Sequence, residues 1–89
     1  MNDKTLFEIL NEVHNEESFL YFLSVLEKDR RLYLEKNYSE GWRNDTIEDF
    51  LECAVEWGET SKGGLKYYKN PDNPWRRCAD ILYMGKIYE

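Results

Sequence analysis

The sequence predicts an all-α fold, a single small four-helix domain over residues 1–89 built around a central long helix. Three observations predict it. Apolar residues recur at three- and four-residue steps in four separate segments, the period of a helix buried along one face. Capping residues and Gly or Pro punctuate the ends of those segments. The 89 residues leave room for one hydrophobic core, and aromatics at 16% supply the bulky side chains that so small a core needs.

The first helix is expected from about Asp3 to Glu12, with Asp3 as cap and Leu6, Ile9, Leu10 and Val13 on one stripe. The second should open at Asn15, where Glu16 and Glu17 suit the positive end of the helix dipole, and run to about Lys36 before Asn37 ends it. Between Phe19 and Leu26 only Ser24 is polar, so this half reads as a helix surrounded by others and as the hub of the core. Beyond it, Glu27 with Arg31 and Arg31 with Glu35 have the spacing of exposed ion pairs one helical turn apart.

After a turn over residues 38–42, Asn44 or Asp45 is expected to cap a third helix reaching about Glu59, and Asp45 and Glu48 have capping-box spacing. Its buried stripe reads as Ile47, Phe50, Leu51, Ala54 and Trp57, with Gly58 near its end. Residues 60–73 contain Gly63, Gly64, Pro71 and Asn73 and read as a loop of fourteen residues, either mobile or holding a short extended piece over 65–68. Asn73 as cap and Pro74 at the first helical position announce the last helix, with Trp75, Cys78, Ala79 and Leu82 inward and Gly85 as its stop. The tail after Gly85 would then be available to pair with 65–68 as a short C-terminal β-ribbon.

Charge narrows the function classes. Twelve Lys and Arg stand against 18 Asp and Glu, net −6, which disfavours phosphate backbones and anionic membrane surfaces. Residues 1–60 are net −9 and residues 61–89 net +3, so the chain is electrically lopsided. Two cysteines without a C-x-x-C pair do not make a secreted disulfide framework, which points to the cytoplasm. The acidic N-terminus does not read as a secretory signal, and the longest nearly apolar stretch, residues 19–26, is far shorter than the ~20 residues that span a bilayer.

Catalytic chemistry is thinly supplied. His14, the single histidine, falls in a connection between helices, where a turn role explains it, and there is no Gly-rich phosphate loop, nucleophile elbow or H-E-x-x-H helix. Cys53, Cys78 and His14 lack metal-ligand spacing, and the two thiols read as small core hydrophobes, so neither a metal nor a cofactor is expected. The basic and aromatic strings Lys66 to Lys69 and Trp75 to Arg77 have a composition used by single-strand binding grooves, but net charge argues against nucleic acid. Arg76 and Asp80 read instead as an ordinary ion pair one turn apart.

The third helix carries the most unusual feature. Glu48, Glu52 and Glu56 stand one turn apart, flanked by Asp49 and Glu59, with no basic residue between Asp45 and Glu59. Like charges at that spacing cost a few tenths of a kcal/mol per pair. One explanation is a solvated outer face answered across space by Arg43, Lys62, Arg76 or Arg77. The other is an acidic docking ridge that steers and registers a basic protein surface.

The string Trp42 to Glu52, the later Trp57, and Asn73 to Leu82 followed by the last residues resemble a family of small acidic bacterial domains of unknown function. The likeness lies in a W-x-N-x-T-(I/L)-x-x-(F/Y)-L-E element and an N-P-W-x-x-x-A-x-(I/L)-L element, and extends to Ser18–Leu23. It implies a bacterial, cytoplasmic, mainly helical protein with no assigned reaction. Asp45 stands where the resembling sequences often place a proline, which leaves the cap of the third helix open.

The expected function is therefore a non-enzymatic protein–protein interaction module, in the manner of small acidic inhibitors or immunity proteins. It would dock a partner with a basic surface through Glu48, Asp49, Glu52, Glu56 and Glu59. The alternative is a small-molecule binding or catalytic module with a cleft lined by Trp42, Asn44, Trp57 and Trp75. Self-association through exposed aromatics is a third option.

Overall fold

The computed structural model describes residues 4–35 and 41–88. Four helices follow in order: α1 (Leu6–Leu10), α2 (Glu16–Leu34), α3 (Ile47–Thr60) and α4 (Pro74–Ile87). The domain is all-α, as the periodicity predicts.

Helix α1 is shorter than expected because Thr5 caps it. The Thr5 hydroxyl accepts from the Glu8 backbone N–H at 3.2 Å, and the Glu8 carboxylate accepts from the Thr5 N–H at 2.8 Å. That reciprocal pairing fixes the start of the helix at Leu6, and Asp3, expected as cap, lies outside the described residues. Asn15 caps α2 as expected, accepting from the Ser18 N–H at 2.8 Å. The expected end of α2 at Lys36 and Asn37, and most of the following turn, also lie outside the described residues.

The core joins Leu6, Ile9, Leu10 and Val13 of the N-terminal segment to Phe22 and Leu26 of α2 and Ala79 of α4, with Phe19, Phe50, Trp75 and Leu82 packed against it. The helix that touches all three others is α4, whereas α2 meets only α1 and α4. The apolar run in α2 is accordingly not surrounded: Leu20 and Tyr21 are exposed on its outer side. Glu27 and Arg31 form the expected pair at 3.0 Å.

Helices α3 and α4 form an antiparallel pair. Phe50, early in α3, lies against Gly85, late in α4, and Gly58, late in α3, lies against Ile81. Gly85 does not stop α4, which continues to Ile87. A Cβ at Gly85 would sit 2.9 Å from the Phe50 carbonyl oxygen, so the glycine is a point of close helix approach. Because residues 86 and 87 are helical, the described part of the tail forms no ribbon with 65–68. Leu65 instead bridges Tyr68 within one tight turn, through backbone bonds of 2.8 and 3.1 Å.

That turn is tied to the body. Gly64 takes a φ of +86°, which favours glycine, and the Asn70 amide donates to the carbonyls of Ser61 and Lys62. The Tyr68 hydroxyl donates to Asp80 Oδ2 at 2.7 Å, and its ring meets Trp57 edge-on with centroids 4.8 Å apart. Arg77 closes the arrangement by donating to the Ser61 hydroxyl at 2.9 Å and to the Gly58 carbonyl at 2.9 Å. These bonds satisfy carbonyl groups at the C-terminal end of α3 that the helix itself leaves open.

The C-terminal end of α4 is satisfied by the segment before α3. The Arg43 N–H donates to the Lys86 carbonyl at 3.0 Å, and the Asn44 amide donates to the carbonyls of Gly85 at 2.7 Å and Tyr88 at 2.9 Å. Asn44 is thus a latch on α4 and not the cap of α3; nor is Asp45, which pairs with Arg30. The cap is Thr46, whose hydroxyl accepts from the Asp49 N–H at 3.1 Å. Beneath the latch the fully buried Lys86 ammonium lies 2.7 Å from Asp29 Oδ2 and over the Trp42 ring, and the Trp42 indole N–H donates to the same Asp29 oxygen at 2.8 Å.

Candidate functional site

At 100° per residue, α3 presents three adjoining rows. Phe50, Ala54 and Trp57 face inward, with Ser61 just beyond the helix end on the same side. Next to them run Ile47, Leu51 and Val55, and about 100° further round run Glu48, Glu52 and Glu56. The inward row meets α4, which among the described helices is the one that α3 packs against. Ile47 and Leu51 were expected in the core and are not there: Ile47, Leu51 and Val55 are 66%, 51% and 64% exposed. The physical reason is that α3 has one neighbouring helix, so its apolar arc is wider than the arc available for burial.

The acidic row is equally open. Glu48, Asp49, Glu52 and Glu56 are exposed, and among the described residues none of them makes an ion pair. Three of the four cations expected to answer them, Lys62, Arg76 and Arg77, are engaged elsewhere. Lys62 pairs with Glu59 at 2.7 Å, Arg76 with Asp80 at 2.8 Å, and Arg77 with the turn and the end of α3. Glu59 differs from the other four in having a partner, Lys62, which holds its carboxyl below its ordinary value by a hydrogen bond and its charge. The field of the remaining acids is felt nearby: the Cys53 thiol is pushed up by burial first, then by Glu56, Glu52 and Asp49.

The three indoles do not meet in one cleft. Trp42 tilts against Phe50 and under Arg30, Trp57 meets Tyr68 and Arg77, and Trp75 packs on Phe19 with centroids 5.6 Å apart. Asn44 points at backbone carbonyls and at Cys53, whose thiol donates to its side-chain oxygen at 3.3 Å, and so offers no free polar contact to a ligand. A cleft of about 260 Å³ does open beside Trp57, between Phe7, Tyr67, Tyr68 and Tyr83, and periodicity did not anticipate it because α1, α4 and the 65–68 turn each supply part of the wall. Its polar members Asp80, Arg76 and Tyr68 are bonded to one another or to Arg77 and Asn11.

The other chemistry-bearing residues have local roles. The His14 ring nitrogen Nδ1 lies 2.8 Å from the Glu12 carbonyl, and the His14 carbonyl accepts from the Asn73 amide at 2.8 Å. Cys53 and Cys78 are both free thiols, and Cys78 is exposed rather than in the core. Among the described residues no group of His, Cys, Asp and Glu is arranged to hold a metal ion, and no helix is long and apolar enough to cross a membrane.

Fold and site together define a small all-α domain with one acidic and apolar helix face left open. The chain belongs to the family of unknown function DUF7660, which matches residues 15–89. The match begins at Asn15, the cap of α2, so α1 and its contribution to the core lie outside it. No curated protein and no solved structure matches the chain.

Proposed function

We propose that this is a non-enzymatic protein–protein interaction module of the bacterial cytoplasm, which docks a partner with a basic surface through Glu48, Asp49, Glu52 and Glu56. The observation that carries the reading is that these four carboxylates are exposed without an ion pair among the described residues, while Lys62, Arg76 and Arg77 are committed to other groups. An uncompensated row of like charges is locally costly, and complementary charge on a partner relieves the cost while speeding encounter. An inhibitor- or immunity-like role, shielding a basic domain, fits the size and the net charge of −6.

The test is to replace Glu48, Glu52 and Glu56 by Lys and compare the proteins captured from native lysate with those captured by the unaltered chain. Loss of basic proteins from the captured set is the expected result. An unchanged set removes the acidic row from the function. The three tryptophan rings lie in separate contacts, on Phe50, Tyr68 and Phe19, and line no common cleft for a small molecule.

A further inference from the structure

We infer that the occupant of α3 is a basic amphipathic helix, whose aliphatic side chains lie along Ile47, Leu51 and Val55 while its Lys and Arg side chains meet Glu48, Glu52 and Glu56. This rests on the docking reading above and adds the shape and chemistry of the partner. Three large aliphatic side chains one turn apart are half or more exposed on a helix with a single helical neighbour, and such contiguous apolar exposure is characteristic of binding surfaces.

The row has a definite form. Ile47 to Val55 spans about 12 Å at 1.5 Å per residue, two turns of a partner helix laid alongside. At its far end Gly58 carries no side chain, so the row runs on to the half-buried Ile81 of α4, which lies against that glycine. At its near end Ile47 forms one wall of a cleft of about 190 Å³ between Arg30, Trp42, Thr46 and Phe50. Arg30 already stacks on Trp42 and bonds Asp45 there, so the cleft suits an apolar anchor and repels a cationic one. Apolar side chains at one-turn spacing ending in a pocket are what a helix reads when it docks in a groove.

Charge decides which helix. The acids flank the row on the side away from α4, and no basic residue lies in α3. A second copy of this chain, set α3 against α3, would bring its own glutamates to the same strip, whereas Lys or Arg flanking an aliphatic stripe would match it.

The experiment uses three fluorescein-labelled 14-residue peptides and the full chain. One is a Leu/Lys helix with its leucines on one face, the second is its Leu/Glu counterpart, and the third is a scrambled Leu/Lys isomer without an apolar face. Fluorescence anisotropy is expected to give saturable binding of the first, about tenfold or more weaker binding of the scrambled isomer, and none of the Leu/Glu peptide. Leu51→Asp, checked for folding by circular dichroism, should weaken the first peptide about tenfold. Replacing Glu48, Glu52 and Glu56 by Gln should weaken it and flatten its dependence on salt.

Equal binding of the two Leu/Lys isomers, sensitive to the glutamates but not to Leu51, overturns the helix and leaves the acidic docking face standing. No binding, or binding indifferent to the glutamates, overturns both. A dimer in light scattering that Leu51→Asp converts to monomer assigns the row to a second copy and overturns the inference.

Discussion

Two glycines on the α3–α4 contact should respond to the same substitution with opposite signs. In Gly58→Ala the new Cβ would lie 3.6 Å from Ile81 Cδ1, ordinary contact with the flexible end of a side chain. The helix interior then gains about 0.8–1 kcal/mol from replacing Gly by Ala. In Gly85→Ala the same gain is opposed by a Cβ placed 2.9 Å from the Phe50 carbonyl oxygen and 3.0 and 3.1 Å from its ring. A backbone oxygen cannot swing aside, so the two helices must separate, at the upper end of the roughly 1–3 kcal/mol that overpacking costs. The net loss is about 2 kcal/mol. For a domain of this length 1 kcal/mol moves the midpoint by about 4–8 °C, so Gly58→Ala should raise Tm by about 5 °C and Gly85→Ala lower it by about 10 °C. Thermal and urea unfolding followed at 222 nm read both. Shifts of the same sign would refute the antiparallel registration of Gly85 on Phe50 and Gly58 on Ile81.

The Lys86–Asp29 pair and the half-buried Tyr68 give further predictions. Asp29→Ala should cost about 3–5 kcal/mol in urea unfolding, because it strands the buried Lys86 ammonium and the Trp42 N–H, whereas Lys86→Met, which removes the charge and keeps the volume, should cost far less. Tyr68 titrates above the ordinary tyrosine value of 10.0, through burial first and then its bond to Asp80, with Arg77 opposing. A raised folded value means that its stabilising effect is complete below pH 10 and is lost as pH climbs toward the folded value. Absorbance at 295 nm should show a late-titrating component that Tyr68→Phe removes, and a titration curve that Tyr68→Phe leaves unchanged in shape would contradict the packing of the turn.

Much of the fold was legible because local chemistry and packing agree. Asn15 and Asn73 cap their helices, Pro74 opens α4, and Leu6, Ile9, Leu10 and Val13 are buried as their spacing predicts. Where the reading went astray, the deciding partner lies far away in the chain. Asn44 looks like a cap beside Thr46, and only the arrival of residues 85–88 makes it a latch. Gly85 looks like a stop, and only Phe50 shows it to be a contact point. Trp42, Asn44 and Thr46, the spaced residues of the first resembling element, all serve structure: a ring on Phe50, a latch on α4 and a cap on α3.

For the candidate face, the acidic row was visible as composition because no cation interrupts it. The apolar row beside it was not, since periodicity counts hydrophobic positions without knowing how many neighbours a helix has. Ile47 and Leu51 share the α3 stripe with Ala54 and Trp57, yet only the latter two find α4.

The proposed docking face requires that the fold leave the carboxylates of Glu52 and Glu56 unused, and the double variant Glu52→Gln with Glu56→Gln is the sharpest probe of that requirement. Both residues lie past the first turn of the helix, so their removal gives up no favourable contact with the dipole at its N-terminus and relieves two like-charge pairs. Urea unfolding at low salt should show stability unchanged or raised, by about 0.5–1 kcal/mol at most. A loss of more than about 1 kcal/mol would mean that these carboxylates are held by cations of their own chain, and the face would not be free to meet a partner.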